Sequence, residues 1–130
     1  MRLLKIHYDR MKRLILVDDD PAILDVFGLI FKGPDYSVSV YREPDALLNL
    51  RAGIPDLIFI DKQLSGADGL DVCRRLKRSS LTKQVPVILI SASPDIQRLA
   101  KEVGAIAGVE KPFSVKYLRD LVKETLTEQA

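Results

Sequence analysis

The sequence predicts an α/β domain wound around a parallel sheet, and three observations point there. Short, wholly apolar runs at Leu14–Val17, Leu57–Ile60 and Val87–Ile90 read as strands buried on both faces, as central parallel strands are. Amphipathic stretches of helical spacing separate them, so strand and helix alternate along the chain. Two of the runs end directly in carboxylates, at Asp18-Asp19-Asp20 and at Asp61. A third, weaker run ends in Glu110-Lys111-Pro112. Parallel strands deliver all of these groups to one end of the sheet, where ligands bind in open α/β folds.

The elements follow in order. After the first strand, Asp20 is suited to cap a helix with Pro21 in its first position, and Ile23, Phe27, Ile30 and Phe31 carry that helix to Lys32, where Gly33-Pro34 stops it. Tyr36 to Tyr41 alternates large and small residues, a strand buried on at least one face. Pro44 to Leu50 reads as a short helix closed by Gly53 and Pro55. Ser65 to Gly69 reads as a loop, with Asp68 or a neighbour capping a helix through about Arg78. Pro94 and Asp95 open a helix bearing Ile96, Leu99, Ala100 and Val103, which Gly104 ends. A short strand covers about Ile106 to Val109. Val115, Leu118, Leu121, Val122 and Leu126 form the inner stripe of a final helix.

Composition narrows the function classes. The 130 residues suit one domain with one buried core, and 47% hydrophobic with 29% charged residues is ordinary for a globular protein. The net charge of +2 is dispersed, and Arg74-Arg75 with Lys77-Arg78 reads as a solvated helix face, so no nucleic-acid partner is expected. No apolar run nears the ~18 residues that span a bilayer, and the start lacks the features of a secretory signal. The expectation is a cytoplasmic protein with no membrane partner. The lone Cys73 excludes an internal disulfide and a multi-cysteine zinc site; beside Leu70 and Leu76 on one helical face it reads as a buried thiol. Residues 1–10 form an N-terminal extension outside the pattern, and 11–130 form the domain. His7, in the extension, has no second ligand positioned with it, so neither catalysis nor metal binding is expected there.

The acidic strand ends carry the chemistry. Capping occupies Asp20 but leaves Asp18 and Asp19 without a structural task, and adjacent carboxylates are costly unless a cation neutralises them. Hard oxygen ligands without His or Cys favour Mg2+. Asp61 either terminates its strand or, beside Asp18 and Asp19, becomes a metal ligand and nucleophile, since a carboxylate can attack phosphorus and form an acyl phosphate. Ser91 ends the next strand with a hydroxyl able to reach a phosphoryl oxygen, although strand ends often carry serine. Lys111 offers a positive point charge, and a solvated surface lysine is its equal rival. A cis bond before Pro112 would aim that lysine.

These residues meet in a family. Leu14 to Pro21, Pro55 to Asp61, Asp68-Gly69-Leu70, Ser91-Ala92, Gly104-Ala105 and Lys111-Pro112-Phe113, in this order and spacing, closely resemble the receiver domain of bacterial two-component response regulators. The resemblance covers about Met11 to Thr127 and is of the single-domain, chemotaxis-regulator kind. It implies a flavodoxin-like (βα)5 fold, a doubly wound five-stranded parallel sheet in the order 2-1-3-4-5. It also implies that Asp61 is the phospho-acceptor. Asp19, Asp61 and the backbone carbonyl of Gln63 would ligate Mg2+, with Asp18 helping through water. Ser91 and Lys111 would contact the phosphoryl oxygens. The implied donors are a histidine kinase or a histidine phosphotransfer protein, and the downstream partner is an unknown protein. The resemblance leaves the oligomeric state open, a phosphorylation-dependent dimer included.

Three departures stand out. Ser65 replaces the usual proline in the loop after the acceptor, which should loosen it. Ser91 replaces the commoner threonine and keeps its hydroxyl. Gly108 stands three residues before the lysine, where an aromatic often acts as the conformational switch. Glycine there is expected to leave an open surface for a partner's side chain, with output running through Ser91 to Ser93 and Pro94 to Arg98. No output domain is expected after the final helix, so the expected function is a stand-alone receiver rather than an enzyme with its own substrate. The alternatives are a receiver fragment of a larger regulator or hybrid histidine kinase, and a small Mg2+-dependent aspartyl phosphatase. The phosphatase usually needs a second Asp two residues after the nucleophile, where this chain has Gln63.

Overall fold

A computed structural model describes residues 11–128. The elements run β1 (Lys12–Val17), α1 (Pro21–Ile30), β2 (Tyr36–Tyr41), α2 (Asp45–Leu48), β3 (Leu57–Asp61), β4 (Gln63–Leu64) and β5 (Ala67–Asp68). They continue with α3 (Gly69–Arg78), β6 (Val87–Ser91), α4 (Ile96–Glu102), β7 (Ala107–Glu110) and α5 (Val115–Glu128). Five strands pair in parallel in the order β2-β1-β3-β6-β7. Counted over those five, this is the expected 2-1-3-4-5 winding.

The apolar runs fill both faces of the sheet. Ile15, Val17, Ile58, Ile60, Val87 and Leu89 face a core completed by residues of α3 and α4. Leu14, Leu16, Leu57, Phe59, Ile88 and Ile90 face the opposite core, completed by α1 and α5. Alternate residues of one strand thus feed different cores, which is why β3 and β6 carry no polar residue before their last position. Phe27 meets Phe59 edge-on at 4.8 Å between ring centres. Each such side chain, taken fully out of water, contributes roughly 1.5–3 kcal/mol before ordering costs. Cys73 is fully buried with its Sγ 3.6 Å from the Val103 carbonyl oxygen. Burial pushes its thiol pKa up, as suits a packing residue.

Several boundaries differ from the sequence reading. α1 stops at Ile30, where Phe31 leaves helical geometry while its N–H still reaches the Phe27 carbonyl. β2 is only half-buried and Val40 is exposed, because the outermost strand lies at the margin of both helix layers. α2 has four residues. Ser65 to Gly69 is more than a loop: β4 and β5 pair antiparallel as a short hairpin turning at Ser65-Gly66. Val115 is exposed, in the first turn of α5 ahead of the turns that lie on the sheet, and Thr125 is buried by donating its hydroxyl to the Leu121 carbonyl at 2.7 Å. The extension that holds His7 lies outside the described residues. Among those described, no helix is long and apolar enough to cross a membrane.

Candidate functional site

Strand register assembles the site. Val17 lies opposite Ile60, so Asp18 and Asp61 emerge side by side where the strand order reverses. Asp61 pairs with Ile90, and Ser91 pairs with Glu110, which brings the residue after Glu110 to the same end. The Lys111 N–H donates to the Ser91 carbonyl at 2.8 Å, and the Lys111–Pro112 peptide is cis. The end of β3 is seated by α3. Asp68 caps that helix through the Leu70 N–H at 2.9 Å, and the Gly69 N–H donates to the Lys62 carbonyl at 2.7 Å. A Cβ on Gly69 would lie 2.8 Å from the Lys62 Cα and press on the Asp61 carbonyl, so only glycine permits this approach.

Lys111 ties the two acids together. Its Nζ lies 2.9 Å from Asp61 Oδ2 and 3.8 Å from Asp18 Oδ2. Asp61 Oδ1 accepts the Gln63 N–H at 2.9 Å, and Asp18 Oδ1 accepts the Asp20 N–H at 2.9 Å. Asp18 Oδ2 is buried without a hydrogen-bond partner. Burial, reinforced by the charge of Asp61, pushes the Asp18 pKa up to about 6 against the opposing pull of the Asp20 N–H and Lys111. Burial also pulls the Lys111 ammonium down, but its hydrogen bond to Asp61 and the charges of Asp61, Asp18 and Asp20 carry it above the ordinary lysine value. Ser91 is buried beside this group, and its Oγ accepts the Ser93 N–H at 3.0 Å. Accepting uses a lone pair, so the hydroxyl proton is left to donate.

Asp19 is the exception. Its Oδ2 accepts both the N–H of Ser65 at 3.0 Å and the Ser65 hydroxyl at 2.6 Å. Those two bonds, with the nearby charge of Arg42, hold its pKa below the usual carboxylate value. Asp18, Asp61 and Lys111 are therefore brought together, with Ser91 and the Gln63 backbone adjacent, while Asp19 turns toward the hairpin. Among the described residues, no three metal-ligating side chains are gathered as a ready site. The donor set still fits a hard divalent cation. All its members are oxygens, and the orphaned, buried Asp18 Oδ2 is the kind of atom that a cation or its water satisfies. The role of Ser65 was not foreseen, because its only signal is a hydroxyl at a turn, 46 residues from Asp19.

Gly108 meets its expectation only in part. It is buried, and a Cβ there would sit 2.7 Å from the Ile96 carbonyl carbon and 3.0 Å from the Gln97 Cα. The first turn of α4 therefore rests on the β7 backbone, and the direction a Gly108 side chain would take is filled by this chain's own backbone. A hollow is nevertheless lined by Gly108 together with Gln97, Lys101, Ile106 and Tyr117 among others.

Comparison with known proteins agrees with this geometry. The family model described as the response regulator receiver domain matches residues 14–123. The DNA-binding response regulator MtrA of Mycolicibacterium smegmatis is 34% identical over 118 residues, covering 88% of this chain and 50% of that protein. The DNA-binding dual master transcriptional regulator RpaA of Synechocystis is 32% identical over 121 residues, covering 89% of this chain and 49% of that protein. The chain thus spans about half the length of the curated relatives it matches. A putative response regulator from Chloroflexus aurantiacus superposes with a TM-score of 0.80 at 27% identity, covering 91% of this chain and 99% of that one. The receiver domain of sensor histidine kinase PA1611 from Pseudomonas aeruginosa, with a magnesium ion in its active-site cleft, superposes with a TM-score of 0.76. At 20% identity, with 90% of this chain and 98% of that one covered, its likeness is one of fold.

Proposed function

We propose that this chain, which belongs to the response regulator receiver domain family and acts as a receiver in phosphorelay signalling, accepts its phosphoryl group on Asp61. As a receiver it is a signalling switch without a separate substrate to turn over. The observation that carries the assignment is Asp61 Oδ2 paired with Lys111 at 2.9 Å beside the buried Asp18. A carboxylate oxygen of Asp61 attacks phosphorus in line; the bond to the donor histidine nitrogen breaks, and the acyl phosphate forms. Lys111, already on that carboxylate, moves with the incoming charge, and the Ser91 hydroxyl donates to a phosphoryl oxygen. Asp19, Asp61 and the Gln63 carbonyl would hold Mg2+, with Asp18 acting through water. That ion supplies further neutralisation of the charge spread over the phosphoryl oxygens. The donor is a histidine kinase or histidine phosphotransfer protein, the setting is the cytoplasm, and the output is contact with another protein.

A second reading, a receiver portion of a longer regulator, is favoured by the half-length coverage of the curated relatives. The chemistry at Asp61 is the same in either case, and the full gene length separates them. Phosphorylation by a small-molecule phosphodonor in Mg2+ tests the assignment: one labile acyl phosphate is expected, absent in Asp61→Asn.

A further inference from the structure

The hairpin turn holds a device outside that chemistry. Leu64 pairs with Ala67, leaving Ser65 and Gly66 as the two central residues of the turn. Gly66 has a φ of +75°, the sign that a type II turn requires at its second central position. The first central position of such a turn accepts proline readily, because proline presets its φ. Here it carries serine, and serine brings two donors that proline lacks, an N–H and a hydroxyl. Both are spent on one atom, Asp19 Oδ2, at 3.0 and 2.6 Å. Among the described residues no three metal-ligating side chains are gathered, so Asp19 does not complete a cluster with Asp18 and Asp61, and the nearby charge of Arg42 also favours its ionised form. Asp19 thus stands apart from the acid cluster, held by the hairpin.

We propose that Ser65 is a latch on Asp19: it is a positioning residue that holds this carboxylate out of the acid cluster until a divalent cation draws it in. The inference rests on the reading of Asp19 as a metal ligand. A cation that takes Asp19 Oδ2 competes with two hydrogen bonds that a proline at this position would never make. The latch therefore weakens Mg2+ binding relative to a receiver without it, and couples the hairpin to the occupancy of the pocket. When Asp19 swings inward, the Ser65 N–H loses a charged acceptor, and the turn is released from the end of β1.

The test is calorimetric titration with MgCl2 of the wild-type chain, Ser65→Ala, Ser65→Pro and Ser65→Thr, with backbone amide spectra of each. Ser65→Ala removes the hydroxyl alone and adds no rigidity, so it isolates the latch from stiffening of the turn. It should bind Mg2+ about three- to tenfold more tightly, the worth of one hydrogen bond to a charged group in partial contact with water. Ser65→Pro removes both donors and should bind more tightly still. Ser65→Thr keeps both and should match wild type. In wild type, the Ser65 amide resonance should move on saturation with Mg2+. Unchanged or weaker binding in Ser65→Ala, with wild type binding, overturns the latch and leaves the Asp61 assignment standing. Absence of binding in all four proteins overturns the latch together with the metal ligation. Binding by the Ala and Pro variants alone supports the latch in its strongest form.

Discussion

The ends of β1 and β3 and the packing of α4 on β7 solve opposite problems. At the first, side chains crowd: two acids share a buried place with one lysine, and Asp18 keeps an oxygen without a hydrogen-bond partner. At the second, a side chain is missing, and the backbone of Ile96 and Gln97 has closed over Gly108. The acid pocket stores unfavourable electrostatics of the kind that a divalent cation relieves. The β7 contact stores nothing of the kind; it is close-packed and intolerant of added atoms. A pocket built this way responds to charge. A contact built this way transmits displacement, because backbone against backbone moves as a body. Signal is therefore expected to leave through Ser91 to Ser93 and the start of α4, without an aromatic side chain rotating in β7.

The contrast breaks most readily at Asp19. Asp19→Ala should abolish measurable Mg2+ binding, because octahedral Mg2+ replaces a lost carboxylate poorly. Calorimetry reads this directly in a chain that has no tryptophan. Retained affinity would mean that the ion uses other ligands.

The packed side should fail in stability instead. Gly108→Ala should lower unfolding stability by about 1–3 kcal/mol, because α4 must lift from β7 to admit the Cβ. Urea unfolding checks it, and phosphorylation of Asp61 should survive. A neutral effect would show that Gly108 is not clamped.

Asp18 gives the pocket a pH signature in the metal-free protein. Its pKa rises from 3.8 to about 6 on folding, so the native state binds more protons than the unfolded chain between those values. Stability should therefore fall as pH rises through that window, and the cost is complete above it. Asp18→Asn should remove this slope and be the more stable protein at pH 7, by on the order of 1–3 kcal/mol. Equal midpoints for the two proteins at pH 7 would contradict the buried charge.

The subtlest effect is the route of the signal. With the phosphoryl mimic beryllofluoride, large amide shifts are expected from Ser91 to Arg98 and small ones from Gly108 to Phe113, Lys111 excepted. Comparable shifts along all of β7 and α5 would show that another residue has taken over the switch.

Much of this arrangement was legible in the sequence, for a local reason. A wholly apolar run followed by an acid, as at Leu57 to Asp61, states both the burial of a strand and which of its ends is polar. The parallel rule then brings Asp18, Asp61, Ser91 and Lys111 to one place. The hairpin escaped notice because two-residue strands have no periodicity to read. The turning of Asp19 escaped because a rotamer answers to a partner distant in sequence. The closure over Gly108 escaped for a different reason: what fills the space of an absent side chain is decided by how near another backbone comes.

The central claim is that Asp61 is the residue this pocket exists to phosphorylate. Intact-mass measurement after incubation with Mg2+ and a small-molecule phosphodonor tests it most directly, with hydroxylamine treatment to identify an acyl phosphate. Wild type should gain one hydroxylamine-labile phosphoryl group, and Asp61→Asn should gain none. Undiminished labelling of Asp61→Asn would contradict the account.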